Sequence, residues 1–231
     1  MSDEIRARLA AVNERIELAA RRVGRTAQDI TLVAVSKTID AVVVQWAVDA
    51  GVRHLGENRV QEGAEKAPLV QGDGLRWHLI GHLQSNKVRK AVAIFDTIHT
   101  VDSVELAEKL DRIAGETGKQ PNVLVQLKIS EESTKSGAGD ELLVSIIETL
   151  DASSHVNFKG LMGIPPPTES AEDARPYFKR LRLQLESLNR SRPRERQLTE
   201  LSMGMSHDFE VAIEEGATLV RVGTAIFGSR H

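Results

Sequence analysis

The sequence predicts an α/β fold, and within that class a single closed (β/α)8 barrel of the TIM type. Three observations predict it. Short apolar runs alternate with longer helical patterns eight times; the 231 residues lie near the ~250 typical of such a barrel; and no linker breaks the alternation. A doubly wound open sheet is the rival, because periodicity does not say whether a sheet closes. The uninterrupted pattern reads as one domain over 1–231.

The opening segment carries Ile5, Leu9, Val12, Ile16, Ala19 and Val23 at steps of four and three, one face of an amphipathic helix that Gly24 is placed to stop. Arg and Glu fill the other face, so the helix is expected to pack on the barrel as an extra N-terminal element. Strands are then expected at 31–37, 54–58, 76–81, 97–102, 122–129, 158–164, 198–206 and 219–223. Helical stretches fall between them near 39–50, 58–70, 84–94, 103–117, 140–151, 172–189 and 208–215, with start signals such as "DSVE" at 102–105. The proline-rich "GIPPPTES" at 163–170 sits where a strand-to-helix loop belongs, and reads as a rim loop.

Composition narrows the function classes. Hydrophobic residues at 41% and charged residues at 27% fit a folded globular chain. The net charge is only −3, and the densest basic stretch, "RSRPRER" at 190–196, lacks interleaved aromatics, so nucleic acid is not an expected partner. There is no cysteine, which excludes disulfides, thiolate nucleophiles and cysteine-ligated metals, and fits a reducing cytoplasm. The charged N-terminus does not read as a signal peptide, and no run approaches the ~20 apolar residues of a membrane span. His78 and His82 are four apart but on a strand, without the HExxH pattern of a zinc site.

In a barrel, polar residues at the ends of strands converge on one mouth. Lys37 ends the apolar run "TLVAVSK". A lone lysine there is ordinarily a solvated side chain. At a barrel mouth it is partly desolvated, which lowers an amine's pKa from ~10.4 and lets it attack an aldehyde to form a Schiff base. Small hydroxyl residues and glycines follow strands seven and eight, in "LSMGMSHDFEVAIEEG" (201–216) and "RVGTAIFG" (221–228), where backbone N–H groups at helix starts favour a phosphate. Gly204 and Gly223 also serve tight turns, and that alternative stays open. Arg221 points inward by parity with Gly223, and is expected either to pair with an acid such as Glu200 or to hydrogen-bond a ligand's ring nitrogen.

The segments "VAVSKT", "HLGENRVQE", "WHLIGHLQSNK", "GLMGI", "LSMGMSHDFEVAI" and "VRVGTAIFG", in this order over nearly the whole chain, closely resemble the pyridoxal 5′-phosphate homeostasis proteins. That family looks like the barrel half of alanine racemase, standing alone. The resemblance implies that Lys37 carries the internal aldimine of pyridoxal 5′-phosphate, that Arg221 faces the pyridine nitrogen, and that Ser206, Gly223 and Thr224 hold the phosphate. Asn58, His82 and Met162 would line the pocket, and Lys135 in "STKSG" matches a further lysine near the mouth. It implies a non-catalytic carrier in cytoplasmic vitamin B6 homeostasis, with apo-enzymes as recipients of the cofactor, and the missing second domain of alanine racemase points to a monomer. Racemization needs a second base, a tyrosine from a partner's other domain in alanine racemase, and the one tyrosine here, Tyr177, lies in the helical "DARPYFKRL". The alternatives are a racemase of amino acids and a class I aldolase-like barrel using the same lysine.

Overall fold

Parallel strands need crossovers, and the amphipathic stretches supply them. The computed structural model describes residues 2–129, 137–138 and 140–228. Its strands are β1 (Thr31–Val35), β2 (His54–Glu57), β3 (Arg76–Leu79), β4 (Thr97–Val101), β5 (Asn122–Leu127), β6 (Asn157–Gly163), β7 (Glu200–Met205) and β8 (Leu219–Val222). They pair in parallel in chain order, and β8 returns to β1 with Val33 opposite Arg221 and Ala34 opposite Val222. The barrel is closed, which decides against the open sheet. The helices are α1 (Ser2–Arg22), α2 (Ala41–Asp49), α3 (Val60–Lys66), α4 (Val88–Ile94), α5 (Val104–Thr117), α6 (Asp140–Ala152), α7 (Arg175–Asn189), α8 (Phe209–Glu214) and α9 (Thr224–Phe227). Among the described residues none is long and apolar enough to cross a membrane.

The main core lies between strands and helices. Leu55, Leu79, Ile98, Val125, Leu161 and Val220 point outward and pack with Leu110, Ile146 and Phe178 of the helix layer. Alternate positions such as Val33, Val35, Leu124, Met162 and Leu219 are buried apart from that cluster and fill the barrel interior, as period-two alternation requires. Gly160 permits the tight contact of β6 with β7, since a Cβ there would stand 1.8 Å from the Glu200 carbonyl oxygen.

Boundaries shift from the sequence expectation for local reasons. The 172–189 stretch opens as a 3-10 turn, Glu172–Ala174, before α7, whose first turn holds Pro176, where a missing N–H is harmless. α1 ends at Arg22, so Val23 is exposed and Gly24 turns the chain at φ +70°. The start signal before α5 acts as expected: the Ser103 Oγ accepts from Leu106 N–H at 3.2 Å, and Gly118 closes the helix in the left-handed region at φ 64°. Ser103→Ala is expected to lower stability by about 1 kcal/mol in urea unfolding, with no change at the barrel mouth.

Candidate functional site at the barrel mouth

Because all eight strands run the same way, their carboxyl ends share one rim. Lys37 follows β1 in a turn, half-buried, at the parity of the inward Val33 and Val35. The next residue, Thr38, has φ 62°, an outlying conformation for a β-branched side chain, and its N–H donates to Glu62 Oε2 at 2.8 Å. Strained backbone of this kind persists only where the surroundings dictate it.

Those surroundings are a buried polar cluster on the outward side of β1 and β2. The Ser36 N–H donates to the Gly56 carbonyl, and its hydroxyl donates to Glu57 Oε1 at 2.7 Å. Lys66 Nζ, from α3, donates to the Ser36 carbonyl at 2.6 Å and to Glu57 Oε1 at 2.8 Å. Glu57 is 0% exposed and its Oε2 has no hydrogen-bond partner. Desolvation pushes the Glu57 carboxyl above the usual range, opposed by the bonds from Lys66 and Ser36. The turn that presents Lys37 is therefore anchored from behind by an ion pair.

On β8, Arg221 is buried inside the barrel, donating from Nη1 to Ser202 Oγ at 2.6 Å and from Nη2 to the Gly163 carbonyl at 3.1 Å. Glu200, the acid considered as a partner, instead lines the opposite end of the barrel. Burial lowers the Arg221 pKa to about 10, with Asp208 working against the shift. The turns after β7 and β8 are tied together, the Gly223 N–H donating to Ser206 Oγ at 3.2 Å. Thr224 stands exposed beside them as the first residue of α9. Gly204 shapes the first of these turns: φ is +87°, and a Cβ would stand 2.6 Å from Ala212 Cβ. The helices after these turns, α8 and α9, have only six and four residues, so hydroxyl and backbone donors carry more weight here than a helix dipole.

The remaining expected residues are more dispersed. Asn58 is half-buried just past β2, its backbone so close to Gly81 that a Cβ there would meet the Asn58 carbonyl oxygen at 2.2 Å. His82 is exposed, with Nδ1 3.4 Å from Asp102 Oδ2. Met162 is 0% exposed, opposite Ser202 in register within the barrel wall. Lys135 lies outside the described residues.

Two features escaped the reading of the sequence. One is the Glu57–Lys66 pair, for which the signal was an acid closing the strand "HLGE" and a lysine two residues before Pro68. The other is a set of imidazoles, His54, His78 and His99, at inward positions of three successive strands. His54 and His78 border a cavity of about 500 Å3 at the base of the barrel, together with Thr31, Arg76, Asp96 and Glu200.

Comparison with known proteins gives the family and the fold. Residues 8–231 match the family model described as alanine racemase, N-terminal domain. A pyridoxal phosphate homeostasis protein of Aquifex aeolicus is 42% identical over 223 residues, covering 96% of this chain and 97% of the relative. That of Escherichia coli K12 is 41% identical over 235 residues, covering 99% and 97%. The solved structure of PipY from Synechococcus elongatus PCC7942, with PLP bound, superposes at a TM-score of 0.85 with 43% identity, covering 97% of this chain and all of that one. With a closed parallel barrel, a half-buried lysine in the turn after β1 and a buried arginine on β8, this chain belongs to the pyridoxal phosphate homeostasis protein family, on the barrel of the alanine racemase N-terminal domain.

Proposed function

We propose that this chain is a single barrel domain that holds pyridoxal 5′-phosphate reversibly and serves its intracellular homeostasis, without a robust catalytic activity of its own. The observation that carries the reading is the pairing of β1 with β8 in a closed barrel, which brings the turn of Lys37 beside the turn of Gly223 and Thr224. The donor set fits the cofactor: an amine for an aldehyde, a guanidinium for a ring nitrogen, and two hydroxyls with a backbone N–H for a phosphate. When bound, the cofactor supplies an aldehyde that an amine can hold covalently as a Schiff base.

Each residue then has a task. Lys37 holds the aldehyde end, with its backbone fixed by Ser36, Glu57 and Lys66. Arg221, itself held by Ser202 and Gly163, keeps a cation at the ring nitrogen and so disfavours a protonated ring, which suits storage better than carbanion chemistry. Ser206, Gly223 and Thr224 take the phosphate, and Asn58, His82 and Met162 support the pocket from neighbouring strands. Cofactor-requiring apo-enzymes are the recipients in this reading, the protein acting as a cytoplasmic monomer.

Amino-acid racemization would require a second base facing the lysine. The one tyrosine, Tyr177 on α7, packs against the apolar layer between helices and barrel. Purified protein loaded with pyridoxal 5′-phosphate is expected to be yellow and to interconvert L- and D-alanine negligibly, as followed by chiral chromatography. Robust turnover would overturn the non-catalytic reading, and a colourless protein that takes up no cofactor would overturn the binding itself.

A further inference from the structure

Barrel interiors of this class are filled mainly by branched aliphatic side chains. Here a file of imidazoles crosses the interior instead. His54 Nδ1 lies 2.9 Å from His78 Nε2, His78 Nδ1 lies 2.9 Å from His99 Nε2, and His99 Nδ1 lies 2.8 Å from Ser202 Oγ. The same Ser202 oxygen accepts from Arg221. One end of the file is the half-buried His54 on the wall of the base cavity; the other is the arginine on β8.

The direction of every bond in this file follows from its last link. Burial holds His78 and His99 neutral, His78 down to about 3 and His99 also well below the usual imidazole value. A neutral imidazole has one N–H and one acceptor nitrogen, so each link dictates the next. Arginine only donates, so its bond occupies a lone pair of Ser202 and leaves the serine hydrogen to be placed. His99 Nδ1 is the acceptor within hydrogen-bond distance of that hydroxyl among the described residues. If Ser202 donates to His99 Nδ1, then His99 Nε2–H donates to His78 Nδ1 and His78 Nε2–H donates to His54 Nδ1. His54 is left with its N–H on Nε2, and every group in the file is satisfied. The reverse direction would put two donors on Ser202 and leave its own hydrogen without that acceptor, a costly arrangement when buried.

We propose that His54, His78 and His99 are positioning residues, locked together as Nε2–H tautomers, which orient the Ser202 hydroxyl and through it Arg221, and so link the base of the barrel to its mouth. The lock is open to disturbance at His54. Its neighbours are His78, Arg76 and Asp96; His99 is faced by His78 and Arg221, and Arg221 by Asp208. Desolvation, aided by Arg76, lowers the His54 pKa. The lock therefore holds at neutral pH and yields only when acid adds a second hydrogen to His54, whose Nδ1 then no longer accepts from His78. The consequence for the cofactor rests on the function proposed above; the tautomers do not.

The test is long-range 1H–15N correlation of the histidine rings in the full chain, first without ligand at pH 7.5, with resonances assigned through His54→Gln, His78→Gln and His99→Gln variants. All three are expected as neutral Nε2–H tautomers. Ser202→Ala removes the donor to His99 that fixes the direction of the file, and is expected to turn all three, including His54 three links away, from a single Nε2–H form into a mixture of the two neutral tautomers. A merely structural serine would leave His54 untouched. The proposal falls if any of the three is Nδ1–H or charged in the parent, or if Ser202→Ala leaves His54 and His78 unchanged; the parent spectrum alone suffices should the variant fail to fold. With pyridoxal 5′-phosphate added, Ser202→Ala is expected to bind about fivefold more weakly, the loss of one hydrogen bond. Failure of the parent to bind the cofactor would sink the functional reading while the ring spectra still decide the tautomers.

Discussion

Lys37→Ala is expected to lose the absorption band near the visible edge that the loaded parent shows, and to retain pyridoxal 5′-phosphate roughly 100-fold less tightly, equal to about 2.7 kcal/mol. The size follows from the proposed role: removing the amine would remove the covalent hold, while the phosphate and ring contacts proposed for Ser206, Gly223, Thr224 and Arg221 would remain to give weak binding. Little change in stability is expected, within about 0.5 kcal/mol, because Lys37 is half-buried in a turn that Ser36, Glu57 and Lys66 anchor from behind. Absorbance titration and dialysis of parent and variant make the comparison. A band of undiminished intensity in folded Lys37→Ala would show that another amine holds the aldehyde. Reductive trapping on the parent separates this reading from an aldolase, since a sugar-phosphate carbonyl fixed on Lys37 would point the chemistry elsewhere.

Lys66→Met should produce the largest effect on stability. It leaves Glu57, 0% exposed, without its cation, and uncompensated buried charges cost about 3–5 kcal/mol. The loss should depend on pH in a definite direction. Burial raises the folded-state pKa of Glu57 above its unfolded value of ~4.3, so between those two values the folded state binds more protons, and stability falls as pH rises. Without Lys66 the folded value climbs further, and the fall continues to higher pH. Urea unfolding should therefore show a larger gap between parent and variant at pH 7.5 than at pH 4.5, and Glu57→Gln added to Lys66→Met should recover part of it. Equal gaps at both pH values would mean that Glu57 does not carry the charge assigned to it. Because the pair sits behind the turn of Lys37, cofactor binding should weaken in the same variant.

Much of the barrel was legible in the residues because its signals are local. Each strand is an apolar run of fitting length, each crossover a helical period with its own stops, and the eight expected strands all appear within a few residues of their places. The Ser103 cap is of this kind. The candidate site was legible to the extent that strand ends share a rim: Lys37, Arg221, Ser206, Gly223 and Thr224 could be grouped as candidates once a closed barrel was assumed. What escaped was the surroundings. The buried strands of a parallel barrel are apolar on both faces, so their sequence does not mark which face looks inward. Nothing local in the sequence sets His54, His78 and His99 apart as a file, or Glu57 as a buried acid.

By itself, then, the sequence determined the alternation of strands and helices, the chemistry available at the strand ends, and the family resemblance carried by its motifs. Tertiary structure alone decided that the sheet closes, that Glu57 meets Lys66 behind the Lys37 turn, that Arg221 bonds Ser202 rather than Glu200, and that three imidazoles join head to tail. The physical reason is range. Periodicity and capping act within a few residues along the chain, whereas register between strands is fixed by the packing of the whole barrel, and a hydrogen bond between residues 99 and 202 has no local trace.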